Sequence, residues 1–93
     1  EMIDAKLRRA TIKTLNERLA HTFNNVYMPK AAAEQEMRNL VGFYAVNAEQ
    51  LESLTFNGSE GAIRGMKLVN EMYLTVTWYT MGSGNMEIVA YVS

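Results

Sequence analysis

Three observations predict an α+β fold in which two N-terminal helices are packed on a small antiparallel sheet ending in a C-terminal β-hairpin. Apolar residues recur at helical spacing through the first half of the chain. Residues alternate almost perfectly between apolar and Tyr/Thr from Met72 to Thr80, with Met72, Leu74, Val76 and Trp78 on one face. A glycine-rich stretch, Met81-Gly82-Ser83-Gly84-Asn85, then separates that run from a second β-rich run, Met86 to Ser93. The element order is approximately ααβββ, in one domain over residues 1–93.

The first helix is expected over residues 4–24. Ile12, Leu15, Leu19, Phe23 and Val26 follow one another at steps of three and four, which is one helical face. Asp4 is a suitable N-cap. Asn24-Asn25 and Pro29 end the pattern. Met2 reads as the natural start, with Glu1 an addition ahead of it.

Pro29 also opens a second helix, because its missing N–H is not needed in a first turn. Met37, Val41, Tyr44, Ala48 and Leu51 continue at alternating steps of four and three and favour one helix over 31–54. A competing arrangement breaks at Gly42 and leaves Phe43 to Val46 extended. It restarts at Asn47 with Gln50 three residues on, a capping-box pattern. Asn57-Gly58-Ser59-Glu60-Gly61 is a loop on turn chemistry. Residues 62–69 fit either a short helix or a strand, with Gly65 tilting them toward strand. Asn70-Glu71 then turns the chain into the hairpin.

The register of that hairpin can be argued. A three-residue loop, Gly82-Ser83-Gly84, places Trp78 opposite Ile88, Val76 opposite Ala90 and Leu74 opposite Val92, with Gly84 in the left-handed position such loops require. An even loop slips the pairing by one residue and mixes the two faces. The odd loop leaves Tyr73, Thr75, Thr77, Tyr79, Val89 and Tyr91 together on the outer face, beside Glu87.

Composition excludes several functions. Ninety-three residues, 48% of them hydrophobic and 20% charged, make one ordinary globular domain. A net charge of −1 gives no field that points to nucleic acid or an anionic membrane. With no cysteine there is no disulfide framework, thiolate zinc site or cysteine nucleophile. No apolar run reaches the ~18 residues of a membrane span. The first residues carry no signal-peptide pattern, so a cytoplasmic location is expected.

No catalytic constellation assembles. His21 is the only histidine and Asp4 the only aspartate, so no triad and no metal-ligand spacing forms. No enzyme activity, metal or cofactor is expected. The carboxylate pairs Glu34/Glu36 and Glu49/Glu52 fall on exposed helix turns. Gly58-Ser59-Glu60-Gly61 has the bare spacing of a GxxG nucleic-acid clamp, but Glu60 sets a negative charge where phosphate would sit. Met66, Met72, Met81 and Met86 cluster near the sheet and suit core filling or an adaptable surface.

Two surfaces stay in view. Lys6, Arg9 and Lys13 share one face of the first helix and suit phosphates or an acidic partner. The Tyr/Thr face of the hairpin suits a protein interface, because tyrosine offers large contact area with few rotatable bonds. The expectation is a non-enzymatic protein–protein interaction module, structural or inhibitory. It acts through Tyr73, Thr75, Thr77, Tyr79, Val89 and Tyr91 and associates with itself, as a homodimer or larger homo-oligomer, and with another protein. Two alternatives are a nucleic-acid-associated regulator that uses the basic helix and an oligomer that holds a small molecule in a Tyr/Met-lined pocket.

Overall fold

A computed structural model describes residues 5–93. Asp4 as N-cap and Met2 as first residue lie outside the described residues. The fold is α+β, with helices first and a four-stranded antiparallel sheet after them. Its elements are α1 (Ala5–Phe23), β1 (Met28–Pro29), α2 (Lys30–Val41), a 3-10 turn at Gly42–Tyr44, α3 (Ala48–Ser53), β2 (Glu60–Lys67), β3 (Tyr73–Thr80) and β4 (Asn85–Val92). The strand order is β1-β4-β3-β2.

The helical face of α1 forms as its periodicity requires. Leu15, Leu19 and Phe23 are buried, and Ile12 packs against the core beside them. Val26 falls beyond the helix and is exposed, because the chain turns at Asn25 with φ 58°. α1 lies chiefly along β4. Its Asn16 side chain donates to the Val92 carbonyl (2.9 Å) and accepts from the Val92 N–H (2.6 Å). A single amide side chain thus stands in for a neighbouring strand.

The favoured single helix over 31–54 is broken. α2 stops at Val41, a 3-10 turn follows, and Ala45 is extended and bridges Leu68. Asn47 caps α3 by accepting from the Gln50 N–H (3.2 Å), while the Gln50 side chain accepts from the Val46 N–H (2.9 Å). The capping chemistry of the competing arrangement therefore prevails, with a 3-10 turn in place of the extended Phe43 and Tyr44. Tertiary hydrogen bonds hold the break. Arg38 of α2 donates to the carbonyls of Leu51 and Leu54 at the end of α3, each at 3.1 Å. Glu34, one turn earlier, accepts from the Phe56 N–H at 2.8 Å. Glu34 is thus half-buried and bonded, rather than a solvated surface carboxylate.

Residues 62–69 resolve mostly as strand. Gly65 (φ 68°) is the extra residue of a bulge between the Ile63–Val76 and Met66–Leu74 pairs. The turn into β3 runs through Asn70 (φ 58°) and Glu71 (φ 53°), both left-handed, with the Met72 N–H bonded to the Val69 carbonyl (3.3 Å). This is a type I′ geometry, the turn whose twist suits a hairpin.

The C-terminal hairpin has the expected register. Trp78 faces Ile88, Val76 faces Ala90 and Leu74 faces Val92. The Met81 N–H bonds to the Asn85 carbonyl (2.8 Å) around the loop Gly82-Ser83-Gly84, and Gly84 sits at φ 89°. One addition escapes sequence pattern. Met28 and Pro29 pair with Met86 and Asn85, making a short fourth strand on the far side of β4.

One core joins the two layers. Leu74, Val76, Met86, Ile88 and Val92 from the sheet meet Leu15, Leu19, Phe23, Ala33, Met37 and Val41 from the helices, with Met72 beside them. Each buried Leu or Ile side chain of this kind contributes about 1.5–3 kcal/mol relative to exposure.

Candidate interface on the outer face of the sheet

Because the helices cover only one side of the sheet, the other side is left to solvent. It is the side on which Tyr73, Thr75, Thr77, Tyr79, Val89 and Tyr91 stand. Pairing joins these residues directly: Thr75 faces Tyr91, Thr77 faces Val89 and Tyr79 faces Glu87. Tyr73, Tyr79, Val89 and Tyr91 are each between 40% and 53% exposed. Thr75 is more enclosed, since its hydroxyl accepts from the Gly65 N–H at 3.2 Å. The six residues chosen from alternation alone therefore form one continuous surface.

β2 extends that surface with residues that the sequence leaves open. Glu60 faces Tyr79, Ala62 faces Thr77 and Lys67 faces Tyr73. Arg64 follows Glu60 and Ala62 at the same spacing and is the first residue of the bulge, lying with Gly65 opposite Thr75. The faint signal in the sequence is the period-two run Glu60, Ala62, Arg64, which two glycines interrupt. Both glycines have structural reasons. A Cβ on Gly61 would lie 2.5 Å from Cζ2 of Trp78, so the indole fills the space where a side chain would go. Trp78 also stacks against Phe56 at a centroid distance of 5.1 Å. It is 8% exposed, and its buried Nε1 donor has no hydrogen-bond partner among the described residues.

The other candidates separate from this face. Lys6, Arg9 and Lys13 are all exposed along α1, and Arg8 between them pairs loosely with Glu71 at 3.9 Å. His21 is exposed at the rim of a shallow hollow of about 430 Å3 bounded by α1 and Leu40 of α2. No group of three or more His, Cys, Asp or Glu residues that could hold a metal ion occurs among the described residues. Met72 and Met86 are buried in the core, and Met66 packs against it, so the sheet lies between them and the outer tyrosines. Among the described residues, those methionines and the outer tyrosines do not line a common pocket within one chain. Phe43 is a site the sequence does not flag. It projects from the 3-10 turn after α2 at 93% exposure.

The class these features define is an α+β domain with one covered and one bare sheet face. Among the described residues, no helix is long and apolar enough to cross a membrane. No protein-family model, characterised protein or solved structure matches the chain.

Proposed function

We propose that this domain is a non-enzymatic protein–protein interaction module, structural or inhibitory, that binds through the outer face of its sheet and associates with itself. One observation carries the reading. Three tyrosines and a valine stand half-exposed on a hydrogen-bonded sheet surface that nothing else in the described chain covers. Large aromatic groups in such a setting supply interface anchors at low entropic cost. Their positions are fixed by buried neighbours on the opposite side of the same strands, so the surface is preorganised.

The test uses the chain as bait in cells of its own source, with Tyr91→Asp and Thr77→Lys as paired baits. Both residues are exposed, so folding is expected to survive. A protein that is retained by the parent chain, lost with both variants and shown to bind directly after purification is the expected result. Identical capture profiles for all three baits would remove the reading. The basic face of α1 makes a contrasting case. A low-salt gel shift that responds to Lys6→Glu, Arg9→Glu and Lys13→Glu would favour nucleic acid instead.

A further inference from the structure

We propose that two copies of this chain join edge to edge through β2, antiparallel and centred on Ala62, to make one continuous sheet across a two-fold axis. The inference deepens the self-association part of the reading above, rests on it, and names the edge and the register.

The main-chain geometry comes first. Tyr73 exchanges both hydrogen bonds with Ser93, and Met81 bonds to Asn85 at the other end, so odd-numbered residues of β3 face β4. In an antiparallel ladder the direction alternates. Even-numbered residues of β3 therefore face β2, as the 2.6 Å bond from the Thr80 N–H to the Ser59 carbonyl shows. Their partners Gly61 and Ile63 point inward. Glu60, Ala62 and Arg64 consequently turn their N–H and C=O groups away from the sheet. β2 is the last strand on this side, and an open edge of this kind templates another strand.

The side chains then select the partner and the register. Glu60 and Arg64 are both exposed, and among the described residues neither has a side-chain hydrogen bond or ion pair. Five symmetric pairings of β2 with its own copy, centred on residues 60 to 64, join outward-facing groups, and those centred on Gly61 or Ile63 set Glu60 or Arg64 against Ala62 and so pair no opposite charges. Centring on Glu60 sets glutamate against glutamate, and centring on Arg64 sets arginine against arginine. Centring on Ala62 sets Glu60 against the partner's Arg64, twice by symmetry, with two small alanines meeting at the axis. Opposite charges directly across a pair stabilise it, and like charges oppose it. That pairing forms about six main-chain hydrogen bonds. It also brings the half-buried Ile63 of one copy beside Gly61 of the other on the inner side. The bulge at Arg64 and Gly65 ends the regular edge, which limits slippage.

The test is sedimentation or light scattering across a concentration series on the 93-residue chain. The parent chain is expected to dimerise reversibly. E60R and R64E should each weaken the dimer at least tenfold. An equimolar mixture of the two variants should recover it, because the arginine introduced in one copy then meets the glutamate introduced in the other. The double swap E60R/R64E should recover it as well. The register has its own check. Hydrogen-bonded antiparallel pairs hold their Cα atoms about 5.5 Å apart, within disulfide reach. The chain has no cysteine, so Ala62→Cys should cross-link two copies on mild oxidation while the equally outward Thr77→Cys does not. A parent chain that stays monomeric, or variants that the mixture fails to rescue, would overturn the proposal. Tyr91→Asp, on β4 and remote from this edge, should leave the dimer intact. If Tyr91→Asp dissolves the dimer and E60R does not, the edge pairing fails and the face reading stands.

Discussion

The sheet has two long edges, and the chain finishes one while leaving the other bare. On the β4 side, β1 pairs with Met86 and Asn85, and Asn16 takes both main-chain groups of Val92. α1 runs along the same strand. On the β2 side no strand follows among the described residues, and what guards the edge is two charges and a bulge. Long-range hydrogen bonds thus cap the first edge at both of its ends, whereas the second is protected only against partners that do not match its charges. A closed edge adds to stability. A conditional edge adds to recognition. Substitutions on the two sides should accordingly be read out in different measurements.

The largest effect on folding is expected at the closed edge. Asn16→Ala strands the N–H and C=O of the buried Val92 at once. A buried main-chain group left without a partner costs about 1–3 kcal/mol, and partial access of water here argues for about 2 kcal/mol in all. For a domain of this size that lowers Tm by about 10 °C. Hydrogen exchange at the Val92 amide should quicken well beyond the change at Val76 in the middle of the sheet. An unchanged melting point with unchanged exchange would mean that the Asn16 bonds do not close the edge.

Gly61→Ala tests the open side from within. The added Cβ would meet the Trp78 ring at 2.5 Å, and either the indole or the edge strand has to move. Overpacking of this sort costs about 1–3 kcal/mol. Among the described residues β2 has no neighbouring strand beyond it, so it has room to yield, and the lower end, about 1 kcal/mol, is expected. Near-ultraviolet circular dichroism of the sole tryptophan should change with it. A loss as large as that of Asn16→Ala would show the edge strand to be as firmly held as β4.

The same contrast explains which parts of the molecule were legible in its sequence. The hairpin was readable to the residue, because almost perfect alternation and one glycine at positive φ leave a single register that keeps Leu74, Val76 and Trp78 on the core side. The outer face followed from that register without further information. The end of α2 was not readable in the same way. Its helical periodicity runs on to Leu51, and beside the Asn47 cap, which the sequence does offer, the break is held by Arg38 and Glu34, reaching 13 to 22 residues along the chain. β2 was ambiguous because Gly61 and Gly65 blank out its alternation. One makes room for Trp78 and the other forms the bulge, and both reasons lie on other strands or in pairing geometry. β1 is two residues long and has no pattern to show. The part of the candidate interface on β2 was hidden for the same reasons.

The smallest effect on folding is expected where the effect on association is largest. Glu60→Arg and Arg64→Glu alter exposed side chains that hold no hydrogen bond or ion pair among the described residues. Surface changes away from caps, cores and networks stay within about 0.5 kcal/mol, so chemical denaturation of either variant, at concentrations low enough to keep every chain monomeric, should overlay that of the parent. The denaturant slope should also be unchanged, since the surface exposed on unfolding is the same. This near-silence is what gives the charge swaps their value. A variant that unfolds early would lose its dimer for trivial reasons, whereas one that melts with the parent yet fails to pair locates the loss in the charges along the β2 edge. Should either swap cost more than about 1 kcal/mol in the monomer, the edge would be contributing to the fold itself, and the division between a closed stabilising edge and an open recognising one would not hold.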